Sequence, residues 1–395
     1  MFVNQRYLQY LLRPEHYCGS EHYECELAEL FRPAWQLVAA ASELSRPGSF
    51  RTLELFGEPL QIRNVDGRLV AFQNVCPHRH CLLTHDRHGC SETIRCQYHG
   101  WEFNATGRTG RIPDARCFRP WDRDNACLKM YRLEACGDLL FVNLTADAVP
   151  LREWLAPYFD ETQQVFQSPL WKMKHVWEYD CDCNWKVPAE NTLESYHVPA
   201  LHRKSLGNFL PTEEASHHTL HDRYTALDYD ACSRLEALQA RLNRWLGGTP
   251  TMQYRHRHIH PNLILCSTDT INYALTYQPT SPSTVHIRVL FYAIRGHRRD
   301  PLSQFMSWAA WRIAKAKTLE VHREDIDIYA AQQRGLEVSR HRGVIGTREE
   351  RIFQFQSYVL HSLNLPLPAP MDADEADSHR ESAETATESV PESWQ

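Results

Sequence analysis

Two Cys/His pairs constrain this chain more than any other feature: Cys76-Pro77-His78 and Cys96-Gln97-Tyr98-His99, separated by 17 residues. Two thiol and two imidazole donors make a four-ligand set, so the short segments that carry them must fold into loops that face each other. The surroundings suit loops on a β framework. "LQIRNVDGRLVAFQN" sets Asp66-Gly67 between two runs of β-formers, a strong hairpin signal, and Gly100 after the second pair permits close backbone approach to a metal group. Structural zinc is one reading, because Cys2His2 sets are common for zinc, but zinc modules pair Cys with Cys and His with His at short spacing. Here each half holds one of each. That mixture suits a diiron cluster in which one iron keeps two thiolates and the other takes two imidazoles, which donate less and raise the reduction potential. The same stretch also carries His80, Cys81, His85, His88 and Cys90, which we read as loop and surface residues.

The rest of the composition narrows the class. A chain of 395 residues at 43% hydrophobic can bury two or three cores. Its thirteen cysteines are an odd number with no compact framework, so most are expected to be free thiols. No run approaches the roughly 20 apolar residues of a membrane span. The N-terminal "MFVNQRYLQYLLRPEHY" lacks the h-region of a secretory signal, so a cytoplasmic location is expected. The net charge of -6 resides in the end of the chain, where eight acids face one Arg from Pro366 onward. The remaining body is near neutral, which gives no electrostatic case for a nucleic-acid partner.

Along the chain, residues 1–44 read as an N-terminal helical arm, with Leu27, Leu30, Phe31 and Trp35 at helix-face spacing interrupted by Pro33. Residues 45–158 read as a small all-β domain. Residues 159–365 read as an α+β domain, in which "NLILCSTDTINYALTYQPTSPSTVHIRVLFYAI" forms antiparallel strands and "SQFMSWAAWRIAKAKTLEVHREDIDIYAAQQRGL" a long helix ending near Gly335. Residues 366–395, rich in acid, Ser and Ala, read as a disordered tail.

A second constellation lies in the α+β domain. "NWKVPAENTLESYHVPALHRKSLGNF" sets Glu190, Glu194 and His197 at i, i+4 and i+7, one face of a helix. His202 follows five residues after His197, the wrong interval for a regular helix, and the intervening Pro199 predicts a kink that turns both imidazoles to one metal. Two His and one carboxylate on one face of an iron leave positions open for O2 and substrate. Glu324, Asp325 and Asp327 are the carboxylate candidates.

Together the two segments resemble those of the Rieske non-haem iron oxygenase α subunits: C-x-H followed by C-x2-H, with Arg79, Gly100 and Trp101 as usual neighbours, then "EN" before E-x-Y-H and a second His. The resemblance covers about residues 5–365. It implies a Rieske β domain joined to a helix-grip catalytic domain, a [2Fe-2S] cluster on Cys76, His78, Cys96 and His99, and a mononuclear Fe(II) on His197, His202 and Asp325. Glu194 takes the place of the acid that bridges an iron-ligating His to a Rieske His, His99 of a neighbouring subunit, within head-to-tail homotrimers. The implied reaction is O2-dependent hydroxylation of a small organic substrate, aromatic or quaternary ammonium, by mono- or dioxygenation. Its electrons come from a separate NAD(P)H reductase, directly or through a ferredoxin, because this chain has no nicotinamide or flavin fingerprint. An electron carrier without oxygenase activity, and a structural zinc module, are the alternatives. Tyr273, Tyr277 and Tyr292 are candidates for an aromatic cage around a cationic substrate. One departure stands out: His80 occupies a position where the family favours Gly.

Overall fold

The computed structural model describes residues 2–4, 8–118, 126–207, 211–230, 233–298 and 300–368. The acidic stretch read as a tail lies almost wholly outside them.

Two seven-stranded antiparallel sheets dominate. The first joins β1 (Gln36–Ala40), β2 (Ser49–Leu55), β3 (Glu58–Val65), β4 (Arg68–Gln73), β5 (His88–Cys90), β6 (Met130–Cys136) and β7 (Leu139–Asn143), in the order β1-β7-β6-β4-β3-β2-β5. The hairpin read at Asp66-Gly67 is present: Val65 pairs with Arg68, both turn residues take positive φ, and Asn64 Oδ1 accepts the Gly67 N–H at 2.8 Å. The N-terminal segment departs from the helical reading. Helix ends at a π-turn, Leu27–Phe31, and after Pro33 the chain becomes β1, which pairs with β7 and is buried along its length. Pro33 stops the helix, and the β-suited "QLVAA" then finds a sheet edge to complete. Tertiary pairing outweighs the local helical pattern.

The second sheet is a meander closed by its first strand: β8 (Trp171–Cys181), β9 (Ser216–His221), β10 (Tyr224–Asp230), β11 (Gln253–Ile259), β12 (Leu263–Ser267), β13 (Ile271–Ser281) and β14 (Thr284–Ile294), in the order β8-β14-β13-β12-β11-β10-β9. The long helix runs over Pro301–Val338, three residues beyond the predicted end, and packs on β8 and β14. Asp300 caps it by accepting the Ser303 N–H at 3.0 Å. Apolar residues of both sheets share one core, in which Leu60, Ile62 and Val142 lie with Cys181, Val289, Phe291 and the aromatic rings of Tyr17, Phe31 and Trp185.

Beside that core sits the short helix Lys186–Asn191, which carries one wall of the second constellation. Lys186 and Glu26 are both buried and lie 2.5 Å apart, and Glu26 also accepts the Trp185 indole N–H at 2.6 Å. Removing one partner of such a buried pair leaves an uncompensated charge, at a cost of about 3–5 kcal/mol. Among the described residues, no helix is long and apolar enough to cross a membrane.

Candidate metal centres

The two Cys/His segments form twin loops. Cys76 N–H donates to Cys81 O at 2.8 Å and His80 N–H to Cys76 O at 3.0 Å; Cys96 N–H donates to Trp101 O at 2.8 Å and Gly100 N–H to Cys96 O at 3.0 Å. Each loop thus turns back at its fifth residue, and that residue needs a left-handed backbone, φ +57° at His80 and +69° at Gly100. His80 therefore adopts the conformation for which the family favours Gly. The substitution changes the strain, not the loop.

These loops bring the four predicted donors together. Cys76 and Cys96 are buried, and the rings of His78 and His99 lie 4.7 Å apart. His78 stacks flat on Trp101 at 4.7 Å and meets Phe118 edge-on, which fixes its ring. Its Nδ1 is buried without a hydrogen-bond partner, which leaves a lone pair for a metal. Burial, with Cys96 alongside, pushes the Cys76 thiol up to about 12, so positive charge from bound metal is what would hold it as thiolate. Burial pushes His78 below its usual value and keeps it neutral, the form that ligates. This donor set fits a cluster with two thiolates on one iron and two imidazoles on the other. Cys81 and Cys90 instead direct their thiols to the carbonyls of Leu82 and Pro47.

The second constellation is assembled differently from its sequence reading. The helix stops at Asn191, so Glu190, Glu194 and His197 do not share one helix face. Glu190 is buried against the N-terminal segment, where it accepts from Tyr10, Tyr17 and Gln356. A turn follows, closed by Leu193 N–H to Glu190 O at 2.9 Å, and Glu194 accepts the backbone N–H groups of Tyr196 and His197. His197 and His202 flank a single helical turn, Val198–Leu201. Pro199 sits in the first turn of that helix, where its missing N–H costs nothing, so it starts a helix and does not kink one.

The two imidazoles nonetheless converge. His197 Nε2 and His202 Nε2 are 3.2 Å apart, and Asp325 Oδ1 lies 3.6 Å from the first and 3.1 Å from the second. All three donor atoms fall within 4.8 Å of one another. Asp325 comes from the long helix, and Asn191 Nδ2 donates to its Oδ1 at 3.0 Å. Behind each imidazole stands a carboxylate: Glu194 on His197 Nδ1, and Glu324 on His202 Nδ1 at 2.8 Å, with Ser205 Oγ donating to Glu324 at 2.6 Å. These acceptors hold the ring protons on Nδ1 and leave both Nε2 lone pairs facing Asp325. Three electron-rich atoms so close together need a cation, and two imidazoles with one carboxylate fit a divalent iron with open positions.

Of the three carboxylate candidates, Asp325 joins the donor group. Glu324 orients His202, a role that sequence reasoning missed although the residue was in view. Asp327 is not among the converging donors. In the cavity wall, burial keeps His322 below its usual value and neutral.

A cavity of about 400 Å³ opens beside the triad, with Tyr229, Tyr254 and Tyr273 in its wall. Of the three tyrosines proposed as a cage, only Tyr273 lines it. Tyr277 donates to Thr192 Oγ1 at 3.2 Å, and Tyr292 donates to Asp138 at 2.8 Å in a separate apolar cluster. Strand alternation accounts for Tyr292, which pairs with Asn272 and so faces away from Tyr273, whereas Tyr277 shares the face of Tyr273 but lies four residues further along the strand, against Thr192.

Comparisons with known proteins agree with this geometry. Residues 34–132 match the family model for the Rieske [2Fe-2S] domain and residues 170–364 that for the ring hydroxylating alpha subunit catalytic domain. The carnitine monooxygenase oxygenase subunit of Acinetobacter pittii (strain PHEA-2) is 30% identical over 189 residues, 47% of this chain and 51% of that protein. The toluate 1,2-dioxygenase subunit alpha of Pseudomonas putida is 29% identical over 206 residues, 49% of this chain and 44% of that protein. The chain thus spans about half the length of the curated relatives it matches. Among solved structures, the quaternary ammonium Rieske monooxygenase CntA in complex with L-carnitine superposes with a TM-score of 0.70 at 20% identity, covering 89% of this chain and 95% of that one. Naphthalene 1,2-dioxygenase with indole bound in the active site gives 0.70 at 18% identity, covering 92% and 98%. With a Rieske domain and a ring-hydroxylating catalytic domain in this order on one chain, the protein belongs to the Rieske non-haem iron oxygenase α-subunit family.

Proposed function

We propose that this chain is the terminal component of a Rieske oxygenase, using O2 and electrons from a separate NAD(P)H-dependent reductase to hydroxylate a small organic substrate. The observation that carries the reading is the convergence of His197, His202 and Asp325 at the wall of a cavity, on a chain that also holds the Cys76, His78, Cys96 and His99 set. When bound, the cluster supplies single electrons and the iron supplies oxygen activation. The chain's own groups do the rest. Glu194 and Glu324 fix the His197 and His202 rings by holding their Nδ1 protons, and Asn191 fixes Asp325. The cavity orients the substrate beside that donor group and limits water.

Exposure of His99 supports electron entry from a second subunit, because a ligand at the surface is within reach of a neighbour. In a head-to-tail homotrimer, His99 of one protomer would face Glu194 of the next. Glu194 would then couple the two centres through His197. Relatives that act on carnitine and on toluate support a quaternary ammonium or an aromatic substrate. The test is reductase-coupled O2 consumption across quaternary amines and aromatic acids, on protein whose iron and acid-labile sulfide are measured. Two sulfides per chain and substrate-dependent O2 uptake are expected. A colourless zinc protein would sink the cluster, and turnover after removal of His197 would return the electron-carrier reading.

A further inference from the structure

Deep in the second sheet lies a charge without a counter-charge. Arg351 is 1% exposed on the helix Glu350–Ser362, with Nη2 2.7 Å from His256 Nδ1 and Nε 3.2 Å from Thr225 Oγ1. Among the described residues, no carboxylate forms an ion pair with it. Burial lowers Arg351 to about 10, which still leaves it charged at neutral pH. A guanidinium only donates, so His256 Nδ1 must accept, and a neutral ring then carries its proton on Nε2. Burial, and next to it the Arg351 charge, hold His256 well below its usual value, so the ring is neutral.

His256 also lines the cavity beside the triad, and its buried Nε2 has no partner. The other charged groups of that wall are engaged. Asp269 accepts the N–H groups of Thr251 and Met252, Glu236 caps Ser233, Glu194 holds His197, and Lys317 reaches Glu320. Among the described residues, His256 Nε2 is the buried side-chain donor of that wall left unmatched, with one unmatched buried cation behind it. An uncompensated buried charge and an unsatisfied buried donor are both costly. A single ligand group relieves both if it accepts a hydrogen bond and carries negative charge.

Resting on the reading of this cavity as the substrate site, we propose that His256, backed by Arg351, is a specificity-determining residue that receives a substrate carboxylate. The substrates are then small organic acids or zwitterions, and not neutral hydrocarbons or alcohols.

The test is isothermal titration calorimetry on the full-length, iron-loaded protein with matched probes: glycine betaine against choline, and benzoate against benzyl alcohol. In at least one pair the acid should bind about tenfold or more tighter, the scale of a hydrogen bond to a charged group. His256→Asn keeps an acceptor near the Nδ1 position for Arg351 and removes the donor at Nε2. It should abolish that preference and leave alcohol binding unchanged. His256→Gln, which keeps a donor near Nε2, should retain the preference and serves if the Asn variant does not fold. Equal binding within both pairs, no binding of either acid, or a preference that survives His256→Asn overturns the proposal. The oxygenase reading fails separately: if acids bind through His256 but no probe elicits reductase-driven O2 uptake, the recognition stands and the activity does not.

Discussion

The two metal centres of this chain are built on opposite plans. The cluster set occupies twin loops within one β domain, its donors close in sequence, with the thiols buried and His99 left at the surface. The triad draws on two elements, with His202 and its partner Glu324 122 residues apart, and His202 and Asp325 are buried beside a cavity. A surface ligand suits exchange of electrons with another molecule. Buried ligands backed by carboxylates suit chemistry from which water is excluded. The two donor sets share no residue, so each is expected to be removable while the other persists.

The largest effect comes from removing donors. Cys96→Ser should abolish the visible spectrum of the cluster and all turnover while about one iron per chain remains at the triad. His202→Ala should do the reverse, with cluster absorption intact, the other iron lost and turnover abolished. Loss of both metals in either variant, measured by iron and sulfide content, would mean that the centres are not independent.

Next in size is Glu194→Gln. The amide still accepts from the His197 ring but carries no charge to couple the centres. Both metals should stay bound, and single-turnover oxidation should slow by about 10- to 100-fold, the scale of outer-shell carboxylate effects. Normal single-turnover kinetics would end the bridging role. Glu324→Gln tests the other imidazole. It loses charge beside His202 while keeping a hydrogen-bond acceptor, so iron affinity should fall about tenfold, at the lower end of that range, with electron delivery unchanged. An unaltered dissociation constant in a chelator competition would show that Ser205 and the fold already hold His202 in place.

How much of this was legible depended on the same contrast. The cluster donors could be read because their spacing is local and their surroundings have their own signals, the Asp66-Gly67 hairpin ahead of the first loop and Gly100 within the second. The triad was only half legible. His197 and His202 stood out, but the helix expected through Glu190 and His197 ends at Asn191, and Pro199 opens a turn where a kink was expected. Adjacent Glu324 and Asp325 were distinguished by helix rotation, since neighbouring residues point about 100° apart on a helix and only one can face the metal. The pairing of Arg351 with His256 had no sequence signal, because a strand and a helix 95 residues apart meet only in the fold.

The smallest effect sharpens the comparison within the cluster domain itself, between its two loops. His80 and Gly100 occupy equivalent positions with φ of +57° and +69°. A non-glycine residue pays about 1–2 kcal/mol for that region, whereas glycine restores part of the difference through unfolded-chain entropy, about 0.4–1 kcal/mol. His80→Gly should therefore stabilise the protein by about 1 kcal/mol or less. Gly100→Ala should act in the opposite direction by a similar amount, because a Cβ there takes on the same backbone strain, while Arg95 Nη2, which it meets at 2.9 Å, is the tip of an exposed, flexible side chain that can move aside. Thermal unfolding of the cluster-loaded protein measures both, a small rise in Tm for the first and a small fall for the second. If His80→Gly lowers Tm, the side chain contributes a contact that outweighs its strain, and the twin loops are alike in backbone only.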